Sequence, residues 1–422
     1  MRVQSEKIWY SKSMKFLQTG DWHLGKIFHE QPLLDDQRAF LAQISAELAH
    51  AVSDTCPYDA LVVPGDIYDR AVPPSEAVIL LSSFLNETHT SFPEMQIFMT
   101  AGNHDSAERL SFASPLLASS NIHICTDTSR LAEPVICGQG EDSTAVYQIP
   151  FLTPGSLKKP SAEGDLFADD ALLRSQQDLA AEAVRIIRES HQAHYPHMMS
   201  VVTAHLFSLA GHVSASERSC VGTAEQVDAD LFAPFTYTAL GHLHGVQCAG
   251  KTGHVMYSGS PLAYSFDDAP DTYMLSVTLH GGSASVRKIP FTPIHPVVRL
   301  TGPFSMFYGE TADRDLIAEH SSSYVEIICT DASVPDNPMA LLRLSFPHIL
   351  SFAKQAQEAG KQQESIEKRR ALMESDKADK ASDLFEMFIE DVYGKKRDDA
   401  DLYEKETELF TKLASHYTWR EN

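Results

Sequence analysis

One pattern constrains this chain more than any other: a short apolar run, long enough for a buried strand, that stops at glycine and a side chain able to bind metal. The sharpest case is Asp59-Ala-Leu-Val-Val-Pro-Gly-Asp66-Ile-Tyr-Asp69. Asp59 to Val63 suffices for a buried strand, Gly65 permits a sharp turn, and Asp66 is left at the strand's carboxyl end. The arrangement recurs four times. Lys15 to Thr19 runs into Gly20-Asp21-Trp22-His23, and Gln96 to Thr100 runs into Gly102-Asn103-His104-Asp105. Met198 to Ala204 ends at His205, and Phe235 to Leu240 ends at Gly241-His242-Leu243-His244. In open α/β sheets ligands bind outside the carboxyl ends of the strands, so five such ends describe one site.

Between these runs the spacing predicts helices. Leu33, Leu34, Phe40, Leu41, Ile44, Leu48 and Val52 recur at helical intervals over 32–56, and Pro73-Pro74-Ser75 opens a second helix to about Asn86. The β-α-β-α-β order implies parallel strands with right-handed crossovers in an α/β fold. Residues 121–150 read as shorter strands of a second sheet or an edge. A long helix is predicted over 165–194 with Leu172, Leu179, Ala183, Ile186 and Ile187 on one side, and 206–234 reads as a long loop. Tyr273 to Leu279 closes the catalytic domain. Pro290, Pro293 and Pro296 mark a linker into a small α/β module, with strands at Val297–Leu300 and Tyr324–Thr330 and a helix at Met339–Leu344.

The last 72 residues carry 13 Lys/Arg and 17 Asp/Glu and no proline, which predicts a helical appendix with apolar stripes at 383–392 and 399–417. The expected domains are 14–285, 286–350 and 351–422. Met14, directly before the first strand, is a second candidate start beside Met1.

At 422 residues the chain exceeds one ordinary core. No apolar run reaches the length of a membrane span, and residues 1–13 lack the apolar stretch of a secretory signal. Six scattered cysteines without a CxxC pair fit a reducing, cytoplasmic setting. The net charge of −23 argues against unaided DNA binding, because phosphate neutralisation supplies most non-specific affinity. Either the substrate is small, or bound cations and a partner supply the positive charge.

Asp, His and Asn together offer anionic oxygen, imidazole nitrogen and amide oxygen, a set suited to Mn²⁺, Fe²⁺ or Zn²⁺. Two such ions about 3.5–4 Å apart clamp a phosphate and activate water, and Asp66, with two oxygens to share, is the candidate bridge. Singly each residue has a plainer explanation: Asp21 and Asn103 suit turns, and a lone His205 suits a core. Coincidence of position lifts the set, since 14 of the 19 histidines do not fall at such strand ends. His191-x-x-His194-x-x-His197, without carboxylates, reads as solvated. His104 faces the substrate side as the group that stabilises or protonates the leaving oxygen, with Asp105 orienting its other nitrogen or capping the next helix.

Together Asp21-Trp-His23, Gly65-Asp66, Gly102-Asn-His-Asp105, His205 and Gly241-His-Leu-His244 resemble the calcineurin-like metallophosphoesterase signature. Asp21-Trp-His-Leu-Gly25, Gly102-Asn-His-Asp-Ser106, Ser216-Glu-Arg218 and Ala239-Leu-Gly-His-Leu-His244 further resemble the SbcD family of bacterial nuclease subunits, over roughly residues 15–270. The resemblance implies a two-sheet β-sandwich flanked by helices, a small capping domain, and C-terminal helices that grip the ATPase SbcC. It implies two metal ions, expected to be Mn²⁺, with Asp21, His23, Asp66 and His244 on one and Asp66, Asn103, His205 and His242 on the other. It assigns His104 to leaving-group work. It implies a homodimer that acts on DNA as a 3′→5′ exonuclease and a hairpin or single-strand endonuclease in repair and recombination. Some archaeal relatives carry histidine where Asp69 stands, so a second catalytic histidine there does not carry over. The alternatives are a phosphodiesterase of small nucleotides or a phosphoprotein phosphatase, and a non-catalytic scaffold.

Overall fold

A computed structural model of the chain describes residues 13–138, 143–158, 172–208 and 226–355. The first apolar run forms β1 (Met14–Gln18), followed by a small hairpin of β2 (Ile27–Phe28) and β3 (Gln31–Pro32). Helix α1 (Leu34–Ser53), β4 (Ala60–Val63), α2 (Ser75–Ser91) and β5 (Gln96–Thr100) complete the predicted alternation. α2 runs past Asn86 to Ser91, because Ala77, Leu81, Phe84, Leu85 and Thr88 keep one buried stripe going. Two short helices, α3 (Ala107–Leu110) and α4 (Ser114–Ala118), lead to β6 (Ile122–Cys125).

The second half repeats the theme with β7 (Val135–Cys137), β8 (Thr144–Ile149), α5 (Gln176–His194), β9 (Met199–His205) and β10 (Tyr237–Gly241). β11 (Gln247–Cys248), β12 (Val255–Tyr257), β13 (Tyr273–His280) and β14 (Ser283–Pro290) follow. α5 begins later than the expected residue 165. Ser175 caps it by accepting the Asp178 N–H at 3.0 Å, and Leu172 makes an antiparallel bridge with Lys158 instead of joining the helix. His194 and His197 are exposed as expected, while His191 is half-buried with its Nδ1 3.1 Å from the Tyr147 hydroxyl. Ser216-Glu-Arg218 and the helical stripes at 383–392 and 399–417 lie outside the described residues.

The strands sort into two six-stranded sheets, β14-β13-β1-β4-β5-β6 and β11-β12-β10-β9-β8-β7. In the first, β1, β4, β5 and β6 are parallel, and β13 returns antiparallel beside β1. In the second, β8, β9, β10 and β12 are parallel with antiparallel edges. The 121–150 segment is therefore divided, β6 edging the first sheet and β7 and β8 joining the second. β14 pairs along its length with β13, so the first sheet continues past residue 285 to Pro290.

Phe16, Ala60, Val62, Phe98, Val201, Tyr237, Ala239, Leu275 and Val277 form the core between the sheets. A second core packs α1 and α2 on the outer face of the first sheet, and a third packs α5 on the second, giving an α/β/β/α sandwich. Polar bridges pin the layers: the Tyr237 hydroxyl donates to Gln18 Oε1 at 2.7 Å, and Gln18 Nε2 donates to the Met256 carbonyl at 3.0 Å.

Nearest the carboxyl ends the sheets almost touch. His205 Nδ1 donates to the Pro64 carbonyl at 3.0 Å, across the gap between β9 and the turn after β4. Two glycines permit this. Gly65, at φ +104°, would place a Cβ 2.1 Å from His205 Nδ1, and Gly241 would place one 1.9 Å from the Pro64 carbonyl oxygen.

The described residues divide into two compact units. The sandwich belongs to the first, which takes the described residues of 13–299, 316–325 and 346–350. The second includes 300–315 and 326–345, where Phe304 and Phe307 are buried and Asp331 accepts the Phe304 N–H at 2.8 Å. A three-stranded sheet of β15 (Val297–Gly302), β16 (Tyr324–Cys329) and β17 (Ile349–Lys354) runs in that order. The helix expected at 339–344 forms as a short helix, Pro338–Leu342. Among the described residues five cysteines are free thiols, and no helix is long and apolar enough to cross a membrane.

The close approach generates a test. Gly241→Ala forces Pro64 and His205 away, and an overpacked contact of this kind costs about 1–3 kcal/mol. A lower urea midpoint with an unchanged m value is expected; an unchanged midpoint means the junction is loose.

Candidate metal centre

The ends of five strands from both sheets meet at one edge. β1, β4 and β5 supply Asp21, His23, Asp66 and Asn103, and β9 and β10 supply His205, His242 and His244. Gly241 pairs in register with His205, which sets the last two strands level. Local backbone geometry does the aiming: Asp21, His23, Asp66 and His242 have φ of 52°, 45°, 46° and 114°. Positive φ is costly for residues with a Cβ and is held only where the surroundings over-determine it. Here they do. The Asp21 N–H donates to the Gly65 carbonyl at 3.1 Å and the His23 N–H to the Asp66 carbonyl at 2.9 Å, so the first two loops brace each other. Between Asp21 and His23, Trp22 turns the other way, fully buried with its ring edge-on to Phe84 at 5.5 Å.

Asp66 sits at the centre. Ligand atoms of Asp21, His23 and Asp66 lie within 4.8 Å of one another, and so do those of Asp66, His205 and His242. Its Oδ2 is 3.6 Å from His23 Nε2 and 3.4 Å from His205 Nε2, and its Oδ1 accepts the His104 N–H at 3.0 Å. Asn103 Oδ1 completes the second group, 2.9 Å from His205 Nε2 and 3.1 Å from His242 Nδ1. Because His205 Nδ1 carries its proton to Pro64, Nε2 is left with a lone pair for a ligand. The His244 ring stands edge-on to His23 with centroids 5.2 Å apart, and its Nδ1 is 3.6 Å from Asp268 Oδ2.

Several of these atoms have no hydrogen-bond partner. Asp21 Oδ2 and both ring nitrogens of His23 are buried and unsatisfied. A buried carboxylate oxygen left bare is expensive unless a cation meets it, so the donor set fits divalent metal. Without ions the cage holds protons instead. Burial, helped by the Asp66 charge, raises Asp21 to about 7. Burial alone would lower His205, but the Asp66 and Asp21 carboxylates outweigh it and hold the ring at about 9. Burial lowers His23 well below its usual value and takes His242 to about 3. Against burial, His205, His23 and His104 keep the Asp66 carboxyl well below its usual range.

His104 is half-buried beside His23, ring centroids 4.8 Å apart. Its Nδ1 donates to the Asp69 carbonyl at 2.9 Å, not to Asp105. Asp105 neither orients His104 nor caps the following helix. Its carboxylate accepts the N–H groups of Ile67, Tyr68 and Gly102 at 3.0, 2.9 and 2.9 Å and ties the second loop to the third. Ser106 caps α3 by accepting the Arg109 N–H at 3.3 Å.

Two supports were missed from sequence. Gln37, fully buried on α1, accepts the Gly25 N–H at 2.9 Å and donates to the His23 carbonyl at 2.8 Å. A polar residue on the apolar stripe with Leu41, Ile44 and Leu48 was its signal. Asp268 also accepts the Tyr264 N–H at 2.8 Å, and nothing in its sequence surroundings marks it.

The protons on Asp21 and His205 must leave before ions enter, so metal affinity is expected to rise with pH from about 6 to 9 and uptake at neutral pH to release roughly one to two protons. Titration calorimetry in buffers of different ionisation enthalpy measures this, and uptake without proton release contradicts it.

Comparison with known proteins agrees with this geometry. Residues 14–245 match the family model of the calcineurin-like phosphoesterases. The SbcD component of the nuclease SbcCD from Staphylococcus saprophyticus is 30% identical over 345 residues, covering 81% of this chain and 85% of the relative. The chain belongs to the calcineurin-like phosphoesterases and, among them, to the SbcD family of nuclease subunits.

Proposed function

We propose that this chain is the phosphodiester-cleaving subunit of a DNA-processing complex, working with two Mn²⁺ ions. The observation that carries the reading is the pair of donor groups that share Asp66. In the proposed assignment Asp21, His23, Asp66 and His244 hold one ion, and Asp66, Asn103, His205 and His242 hold the other. When bound, the ions neutralise the phosphate and acidify the attacking water. The protein's own part is positioning and proton handling. Asp105 and Gln37 fix the loops, and the Pro64 carbonyl fixes the His205 tautomer. With Nδ1 bound to the Asp69 carbonyl, His104 keeps Nε2 as the atom that hands a proton to the departing 3′ oxygen.

The proposal extends to the family's arrangement: 3′→5′ action on duplex ends, endonuclease action on single strands and hairpins, and a cytoplasmic setting. A second subunit, the ATPase SbcC, binds the helical segment 351–422, and the capping module is the second compact unit, which includes 300–315 and 326–345. That partner reconciles DNA work with a net charge of −23. His104→Ala is expected to lower Mn²⁺-dependent cleavage of linear duplex by about 10²–10⁴-fold with metal binding kept. The assay is run with and without the ATPase subunit, beside bis-p-nitrophenyl phosphate. Cleavage of the small ester alone points to a small-molecule phosphodiesterase, and full activity of the variant removes His104 from the chemistry.

A homodimer belongs to the same proposal. Ile79 on α2 and Phe112 just after α3 are 64% and 83% exposed, and they border an apolar groove of about 1100 Å³ with Val78, Leu85 and Leu117. Exposed apolar surface of this kind marks an interaction site. Phe112→Glu is expected to convert a dimer to monomer in sedimentation without loss of fold; a wild-type monomer at all concentrations removes the dimer.

A further inference from the structure

The nuclease reading leaves one charged cluster at the rim of the site unused. Lys26 follows the Asp21-Trp22-His23 loop directly, its N–H donating to the His23 carbonyl at 3.0 Å. Its Nζ lies 2.8 Å from Asp69 Oδ1 and 5.3 Å over the Tyr264 ring. The same Asp69 oxygen is 3.6 Å from His23 Nδ1, while the Asp69 carbonyl holds His104. One aspartate therefore fixes a cation beside a proposed metal ligand and the proton donor together. Arg70 adds a second cation, its guanidinium 3.7 Å from Asp69 Oδ2.

The ammonium is placed for more than this pair. It has three donors, of which Asp69 takes one, and its side chain keeps 22% exposure. Pairing costs a long side chain its freedom, so an ammonium already held in place grips a ligand at less entropic cost. The surrounding chain is strongly acidic, which makes a fixed cation at this edge valuable to a polyanion. Because Lys26 Nζ and His23 Nδ1 both meet Asp69 Oδ1, at 2.8 and 3.6 Å, the ammonium stands close enough to the donor cage to meet the neighbour of a phosphate seated there.

Resting on the nuclease reading, we propose that Lys26 binds the phosphate adjacent to the scissile one, with Asp69 as the strut that holds its ammonium in position. Lys26 is a substrate-binding residue, and its loss is felt in DNA affinity before chemistry.

The test uses the full-length chain with Mn²⁺ and an oligonucleotide substrate, comparing wild type, Lys26→Ala and Lys26→Arg. For Lys26→Ala, KM and the dissociation constant of a labelled oligonucleotide are expected to rise about tenfold, with kcat changed much less. The log–log dependence of binding on salt becomes shallower by about one. Lys26→Arg keeps most of the binding. Unchanged binding and salt slope in Lys26→Ala overturn the proposal. So does a parallel fall in kcat and Mn²⁺ affinity, since that outcome makes Lys26 only a prop for Asp69 and His23. A wild-type chain that hydrolyses bis-p-nitrophenyl phosphate and leaves DNA uncut overturns the nuclease reading itself, an outcome distinct from failure of Lys26 alone.

Discussion

Everything at the site depends on two sheets meeting closely enough to share one carboxylate. The contact that sets the spacing is the bond from His205 Nδ1 to the Pro64 carbonyl, made where Gly65 and Gly241 leave no Cβ between the chains. A proposed metal ligand on one sheet is thereby held by the backbone of the other, two residues before Asp66. The inter-sheet core of Phe16, Phe98, Tyr237 and Leu275 brings the layers together, at about 1.5–3 kcal/mol for each large side chain buried. The junction converts that non-directional pressure into a defined position for a nitrogen lone pair.

Around the junction, backbone strain and unsatisfied polarity are concentrated in the same few residues. Asp21, His23, Asp66 and His242 hold positive φ, and Asp21 and His23 also carry bare, buried polar atoms. Each feature alone is destabilising. Their overlap has one economical explanation: the rest of the sandwich tolerates the strain to keep donors converging on space meant for cations. The network that enforces it runs from the Gln37 and Asp105 side chains to main-chain groups, so the loops are braced apart from the contacts the donors make with one another.

Much of this was legible in the sequence, and the reason is physical. Parallel strands buried on both faces show as uninterrupted apolar runs, and a ligand at a strand's end marks itself by breaking the run. The same property hid how the strands divide: Ala60–Val63 and Tyr237–Gly241 are equally buried, so no alternation says which sheet each joins. Asp105 was misjudged because an acid beside a histidine suggests a partner, whereas its carboxylate reaches backbone N–H groups on another loop. The start of α5 was placed early because charged residues before Ser175 fit a helical pattern as well as a loop, and only the cap distinguishes them. His191 looked solvated because Tyr147, its partner, is 44 residues away. Positive φ at residues other than glycine leaves no compositional trace at all.

The division of the donors between the sheets has a consequence for the newborn polypeptide. Until the ribosome has passed His244 the cage lacks members, and until β13 inserts beside β1 the first sheet has not acquired its antiparallel neighbour. No fragment emerging earlier carries the full proposed donor set. Assembly of the donor set is thereby tied to the docking of the two layers, which comes only after most of the sandwich has been made.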